Sequence, residues 1–159
     1  MTTRRAAVGR KVPDLKLDLT GGKQARLSDY RGRCLVLYFY PKDNTSGCTA
    51  EGQAFRDAWP KFSRLKTDIV GVSRDSLASH EKFKTAQGFP FELASDPDEK
   101  LCAAFDVIRE KTMYGRKHLG VDRSTFIIDG EGVLRQEFRG VKVKGHVDEV
   151  LGVVRELPD

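Results

Sequence analysis

The chain predicts an α/β fold with a mixed central sheet flanked by helices on both faces. Three observations carry that expectation. "CLVLYFY" (34–40) and "DIVGVSRD" (68–75) hold apolar runs without polar alternation, as central strands buried on both faces require. A helix-patterned segment follows each of them. "RSTFIIDGEGVLRQEFRG" (123–140) then closes the pattern with an antiparallel hairpin. Alternating strands and helices build a parallel core, and the hairpin makes the sheet mixed.

The elements follow in order. Residues 1–11 read as a loose start, loosest over 1–8. "DLKLDLT" alternates Leu15, Leu17 and Leu19 with charged neighbours, a half-buried strand. Gly21-Gly22 turns the chain into a short edge segment. Pro41 stops the strand 34–40. Over 51–65, Phe55, Ala58, Trp59 and Phe62 share one helical face. Residues 76–87 read as a second helix capped by Asp75 or Ser76 and ended by Gly88. "FELASD" is a short strand or loop, and Asp96 caps a helix over 97–105. The basic "KTMYGRKH" (111–118) reads as an exposed loop. Strand 125–128, the turn "DGEG" and strand 133–138 make the hairpin. Val147, Val150, Leu151 and Val154 face inward from a last helix over 146–157.

The 159 residues suit one domain, 1–159, with room for a core. The net charge is +5, but the basic residues are interleaved with 23 acids, which argues against a nucleic-acid surface. No run is long and apolar enough to span a bilayer, and the residues after the twin arginine of "MTTRR" form no apolar leader core. Three cysteines, at 34, 48 and 102, are odd in number and far apart, unlike a secreted disulfide framework. A reducing, cytoplasmic compartment is expected. His80, His118 and His146 are scattered, with no metal-site spacing, and no nucleotide-binding glycine pattern occurs. No metal or other cofactor is expected.

Cys48 is the residue that calls for chemistry. It follows a Pro, Asp, Asn, Thr, Ser, Gly cluster just beyond the carboxyl end of a central strand, where sites of open α/β sheets lie. A free thiol titrates near ~8.5 and reacts as thiolate. A following helix would turn its N-terminal amides on the sulfur. Arg123, ahead of the strand "STFIID", is the candidate cation, brought in by a parallel neighbour strand. Thr45 offers a hydroxyl at the same mouth. Glu51 reads first as an acid complementing the helix dipole, with partnership to Arg123 as the alternative.

"YPKDNTSGCTAEGQAFRD" resembles the active-site segment of the peroxiredoxins, with Pro41, Thr45 and Cys48 in a P-x-x-x-T-x-x-C pattern. The wider wording, with "GVSRDS" at 71–76 and "RSTFIID" at 123–129, is similar to the PrxQ or bacterioferritin comigratory protein subfamily. The resemblance runs from about residue 8 to 155. It implies a thioredoxin-like fold and a thiol peroxidase reducing hydrogen peroxide and organic hydroperoxides. It also implies that Cys48 is the peroxidatic cysteine and that Thr45 bonds thiolate and peroxide. Pro41 would shield the pocket, and Arg123 would orient peroxide and thiolate.

The pattern departs from relatives that carry a resolving cysteine. Gln53 and Lys84 stand where the resemblance would put one. Cys34 begins its strand, some ~20 Å from the far end at about 3.3 Å per residue, beyond the ~7 Å a disulfide spans. Cys102 reads as a core filler. The expected cycle therefore uses one cysteine and an external thiol, either glutathione with glutaredoxin or a thioredoxin-type protein. The resemblance implies a monomer. The other reading is a redox-sensing or holdase-type binding protein with Cys48 as its switch.

Overall fold

The computed structural model describes residues 5–158, apart from the side chain of Met113. The elements run β1 (Lys16–Leu19), β2 (Lys23–Arg26), β3 (Cys34–Phe39), α1 (Ser46–Arg64), β4 (Thr67–Ser73), α2 (Leu77–Gln87) and β5 (Glu92–Ser95). They continue with α3 (Lys100–Ala104), β6 (Ile108–Met113), β7 (Arg116–Val121), β8 (Ser124–Ile128), β9 (Leu134–Phe138) and α4 (His146–Glu156). Seven strands form one sheet in the order β2-β1-β5-β4-β3-β8-β9. β5, β4 and β3 are parallel, while β1, β8 and β9 each pair antiparallel with their neighbours.

The run 34–40 is apolar throughout because its two faces enter two different cores. Leu35, Leu37 and Phe39 join α3 through Leu101, Cys102 and Ala104, with Phe105 just beyond it, on one side. Val36, Tyr38 and Tyr40 face Phe55 and Phe62 of α1, Phe83 of α2 and Val150 and Leu151 of α4 on the other. A buried Leu- or Phe-sized side chain contributes about 1.5–3 kcal/mol, so alternate residues of one strand hold both layers. The expected helices on both faces are present, one five-residue helix on one side and three longer ones on the other.

The helix ends follow local chemistry. Ser76 Oγ accepts from the Ser79 N–H at 3.2 Å, and Gly88 closes α2 with φ 65°. Asp96 accepts from the N–H groups of Leu101 and Cys102 at 3.1 and 2.8 Å. It caps α3 from a distance: residues 97–99 form a turn, and the helix expected from 97 begins at Lys100.

Two other expectations are corrected. Residues 1–4 lie outside the described residues, but the rest of the supposedly loose start is tied down. Ala6 N–H bonds the Ala104 carbonyl at 2.8 Å, Gly9 N–H bonds that of Leu134 at 2.8 Å, and Lys11 pairs with Val133. The basic segment 111–118 is not a loop but most of the β6–β7 hairpin, turned at Tyr114 and Gly115 with φ 52° and 75°. Two positive φ values in a two-residue loop match the twist of the strands. The hairpin was illegible because exposed, charged residues replace the apolar face that marks a strand, and Tyr-Gly is a weak turn signal.

Candidate active site

α1 begins five residues earlier than the sequence pattern indicated, so Cys48 lies in its first turn rather than ahead of it. Thr45 is the extended N-cap residue, and the Thr49 N–H to Thr45 carbonyl bond opens the helix. The N–H groups of Ser46, Gly47 and Cys48 therefore precede the first intrahelical bond, at the positive end of the helix dipole. Cys48 is 2% exposed and packs in the α1 core with Tyr38, Tyr40 and Phe55.

β8 brings Arg123 to this turn, by a different route from the one expected. β8 runs antiparallel to β3, with Phe39 opposite Ser124. The residue just before β8 therefore meets the end of β3. A parallel neighbour would have carried Arg123 to the Cys34 end of the sheet instead. Its Nη2 donates to Cys48 Sγ at 3.4 Å, and its Nη1 donates to Glu51 Oε1 at 2.6 Å. Gly47 leaves room for the fork: a Cβ there would lie 3.1 Å from Nη2.

Glu51 is one turn further along α1 and fully buried. The reading as a solvated first-turn acid gives way to the alternative, partnership with Arg123. Burial pushes its carboxyl up to about 7 against the pull of Arg123. Burial also works against the charge of Arg123, but Glu51 and Cys48 outweigh it and hold the guanidinium above its ordinary value. Glu51 Oε2 has no partner among the described residues, nor does the buried Tyr38 hydroxyl. Burial, then the nearby Glu51, raises that phenol well above its usual range.

Thr45 and Pro41 lie on the loop between β3 and α1. Thr45 is exposed and its hydroxyl donates to the Lys42 carbonyl at 2.8 Å; Pro41 is half-buried. The other two thiols are elsewhere. Cys102 faces the core on the opposite side of the sheet, and Cys34 starts β3 at its far end. Gln53 and Lys84 both hold structural contacts. Gln53 donates to Gln87 at 2.9 Å, and Lys84 pairs with Glu92 at 3.1 Å.

Comparison with known proteins adds a decisive finding: residues 8–137 match the model of the AhpC/TSA family. The chain belongs to this family. Peroxiredoxin Bcp of Xanthomonas campestris pv. campestris is 53% identical over 142 residues, covering 89% of each chain. Peroxiredoxin Bcp of Bacillus subtilis is 47% identical over 152 residues, 96% of this chain and 97% of its own. Among solved structures, a Xanthomonas campestris peroxiredoxin Q aligns with a TM-score of 0.88 at 50% identity, covering 93% of this chain and 96% of that one. A Xylella fastidiosa PrxQ mutant gives 0.90 at 44% identity, covering 96% and 98%. The chain is thus an AhpC/TSA-family peroxiredoxin of the PrxQ and Bcp kind, with a thioredoxin-like fold.

Proposed function

We propose that the chain is a thiol-dependent peroxidase in which Cys48 is the peroxidatic cysteine. One observation carries the reading: a single guanidinium donates to the Cys48 sulfur and is held from behind by a buried carboxylate. That arrangement sets a fixed positive charge against the sulfur and leaves Arg123 ready to meet a peroxide oxygen. The thiolate attacks one oxygen, the O–O bond breaks, and the other oxygen leaves as hydroxide or alkoxide and takes up a proton. Sulfur becomes sulfenic acid. Donors already fixed around the reacting oxygens stabilise the moving charge without reorganising. Thr45 spends its one hydroxyl proton on Lys42, so its lone pairs are left to accept the proton-bearing oxygen of the peroxide. Pro41 shields the sulfur from water.

Hydrogen peroxide and organic hydroperoxides are the substrates. A 49% identical Xanthomonas campestris bacterioferritin comigratory protein is described by its alkyl peroxide reduction activity, which supports the second class. The placement of Cys34 and Cys102, and the contacts of Gln53 and Lys84, support a one-cysteine cycle. An external thiol displaces water from the sulfenic acid to give a mixed disulfide. A second thiol then releases Cys48 as thiol and leaves as the oxidised disulfide. Glutathione with glutaredoxin, or a thioredoxin-type protein, supplies these electrons. No helix among the described residues is long and apolar enough to cross a membrane. We read the chain as one domain that works as a cytoplasmic monomer.

The test is one equivalent of hydrogen peroxide in the presence of a sulfenic-acid trap, followed by non-reducing peptide mapping. The expected result is a trapped adduct on Cys48 and no internal disulfide. A Cys48–Cys102 or Cys48–Cys34 crosslink would overturn the one-cysteine cycle. An unmodified Cys48 would overturn the peroxidase reading itself.

A further inference from the structure

His80 is fully buried on α2 and belongs to none of the motifs above. Its Nδ1 lies 2.7 Å from Asp43 Oδ2, and its Nε2 lies 3.0 Å from the Ala94 carbonyl on β5. A carbonyl oxygen only accepts, so Nε2 donates. The Asp43 carboxylate is surrounded by donors. Tyr40 Oη donates to its Oδ1 at 2.6 Å, and Ser79 Oγ donates to its Oδ2 at 2.7 Å. Burial works to raise the Asp43 carboxyl, but the bonds from His80, Tyr40 and Ser79 outweigh it and lower it. Nδ1 of His80 faces that carboxylate, so the ring is clamped between two acceptors. Tyr40 Oη at 3.4 Å and Ser73 Oγ at 3.5 Å complete its polar surroundings. Among the described residues His80 is the one basic side chain within ion-pair distance of Asp43.

The rest of the network ties the same loop to β4. The Asp43 N–H donates to Asp75 Oδ2 at 2.9 Å, and Ser73 Oγ donates to that oxygen at 2.5 Å. Ligand atoms of Asp43, Asp75 and His80 lie within 4.8 Å of one another. Hydrogen bonds within the protein already occupy these atoms.

Asp43 is five residues before Cys48, between Pro41 and Thr45. Asn44 beside it takes the left-handed conformation, φ 64°, which asparagine adopts more readily than most residues. Lys42, next to Asp43, supplies the carbonyl that takes the Thr45 hydroxyl. We infer that His80 is a positioning residue for peroxide reduction: hydrogen-bonded from α2 to Asp43, it sets the loop that places Pro41 and Thr45 at the Cys48 site. The inference rests on the reading of Cys48 as the peroxidatic thiol. It extends the working site to a helix that no residue of the cysteine motif touches in sequence.

The test separates the two half-reactions by stopped flow: oxidation of Cys48 by hydrogen peroxide, and reduction of the oxidised protein by dithiothreitol. His80→Phe fills the ring's volume without donors. It should slow oxidation by roughly ten- to a hundredfold, the cost of a misplaced reacting group, and leave the reduction rate unchanged. His80→Asn keeps an N–H near the place of Nδ1 and should recover most of the oxidation rate. Oxidation at the wild-type rate in His80→Phe, or equal slowing of both halves, would overturn the inference. If His80→Phe does not fold, Asp43→Asn decides: it weakens the same bond from the other end and should slow oxidation alone, and oxidation at the wild-type rate would overturn the inference. Cys48→Ser keeps the two readings apart. Peroxide turnover surviving in Cys48→Ser removes the Cys48 reading; its loss, with His80→Phe behaving as wild type, removes only the role of His80.

Discussion

The two ends of β3 carry a cysteine each, and they are chemical opposites. Cys34, at the start of the strand, is the more exposed of the two. Burial nevertheless pushes its thiol up to about 11, a Thr67 hydrogen bond only partly opposes this, and Asp129 and Asp68 add to it. Cys48, beyond the other end, is nearly inaccessible, yet it receives a hydrogen bond from a guanidinium and lies in the first turn of a 19-residue helix. What sets Cys48 apart is the positive charge facing its sulfur, where Cys34 has burial and the nearby Asp129 and Asp68. Cys102, on the other face of the sheet, resembles Cys34: burial and then the neighbouring Asp96 raise its thiol far above the ordinary range.

The most direct way to break this comparison is to remove the cation. Arg123→Gln should lower the rate constant for peroxide oxidation of Cys48 by about 10²–10³, the usual effect of deleting a fixed donor at a site of developing charge. Stopped-flow oxidation checks it. A rate within a few-fold of wild type would mean that helix N-terminal amides alone activate Cys48, and the contrast with Cys34 would lose its cause.

A second test concerns the buried groups behind the guanidinium. The carboxyl of Glu51 is raised from 4.5 to about 7, so the native state binds the extra proton. Its contribution to stability is present below about 4.5 and lost as pH rises through about 7. His146 has the opposite sign. Burial, and then Arg123, lower it from 6.5 to about 4, and it accordingly stabilises above 6.5 and loses that contribution as pH falls through about 4. Each effect is on the order of 3 kcal/mol at full extent, and the two nearly cancel. Glu51→Gln should uncover the His146 dependence. Its stability relative to wild type should grow by up to ~3 kcal/mol between pH 4.5 and 7 in urea unfolding. A pH-independent difference would show that Glu51 shares no proton with the site.

The smallest expected effect sharpens the geometry. In Gly47→Ala the new Cβ would lie 3.1 Å from Arg123 Nη2, so the fork must shift by a few tenths of an ångström. Oxidation of Cys48 should slow by only about two- to tenfold, since a full 1 Å error costs about a hundredfold. Thermal stability should hardly change. An unchanged oxidation rate would show that Arg123 tolerates this displacement.

Much of this was legible in the residues. The strand 34–40, Cys48 just beyond it and Arg123 as its candidate cation all follow from local pattern and from motifs whose spacing survives in the linear chain. The Gly88 and Ser76 caps were equally visible, because one residue's conformation or hydroxyl specifies each. The β6–β7 hairpin was not, because its strands bury no continuous apolar face: Tyr114 is 97% exposed and Leu119 63%. The start of α1 was also misread, since Ser46 and Gly47 are poor helix formers and give no periodic signal.

By itself, then, the sequence determined which strands are central and which cysteine stands at a strand-to-helix junction. Those are matters of residue type and short-range spacing. Only the tertiary structure decided which charges face which sulfur. The antiparallel pairing of β8 with β3 delivers Arg123 to Cys48, and the sheet divides Cys48 from Cys102. The packing of α2 on β5 presses His80 against Asp43. Such contacts join residues 37 to 75 positions apart, and their energies depend on direction and burial that no local pattern encodes.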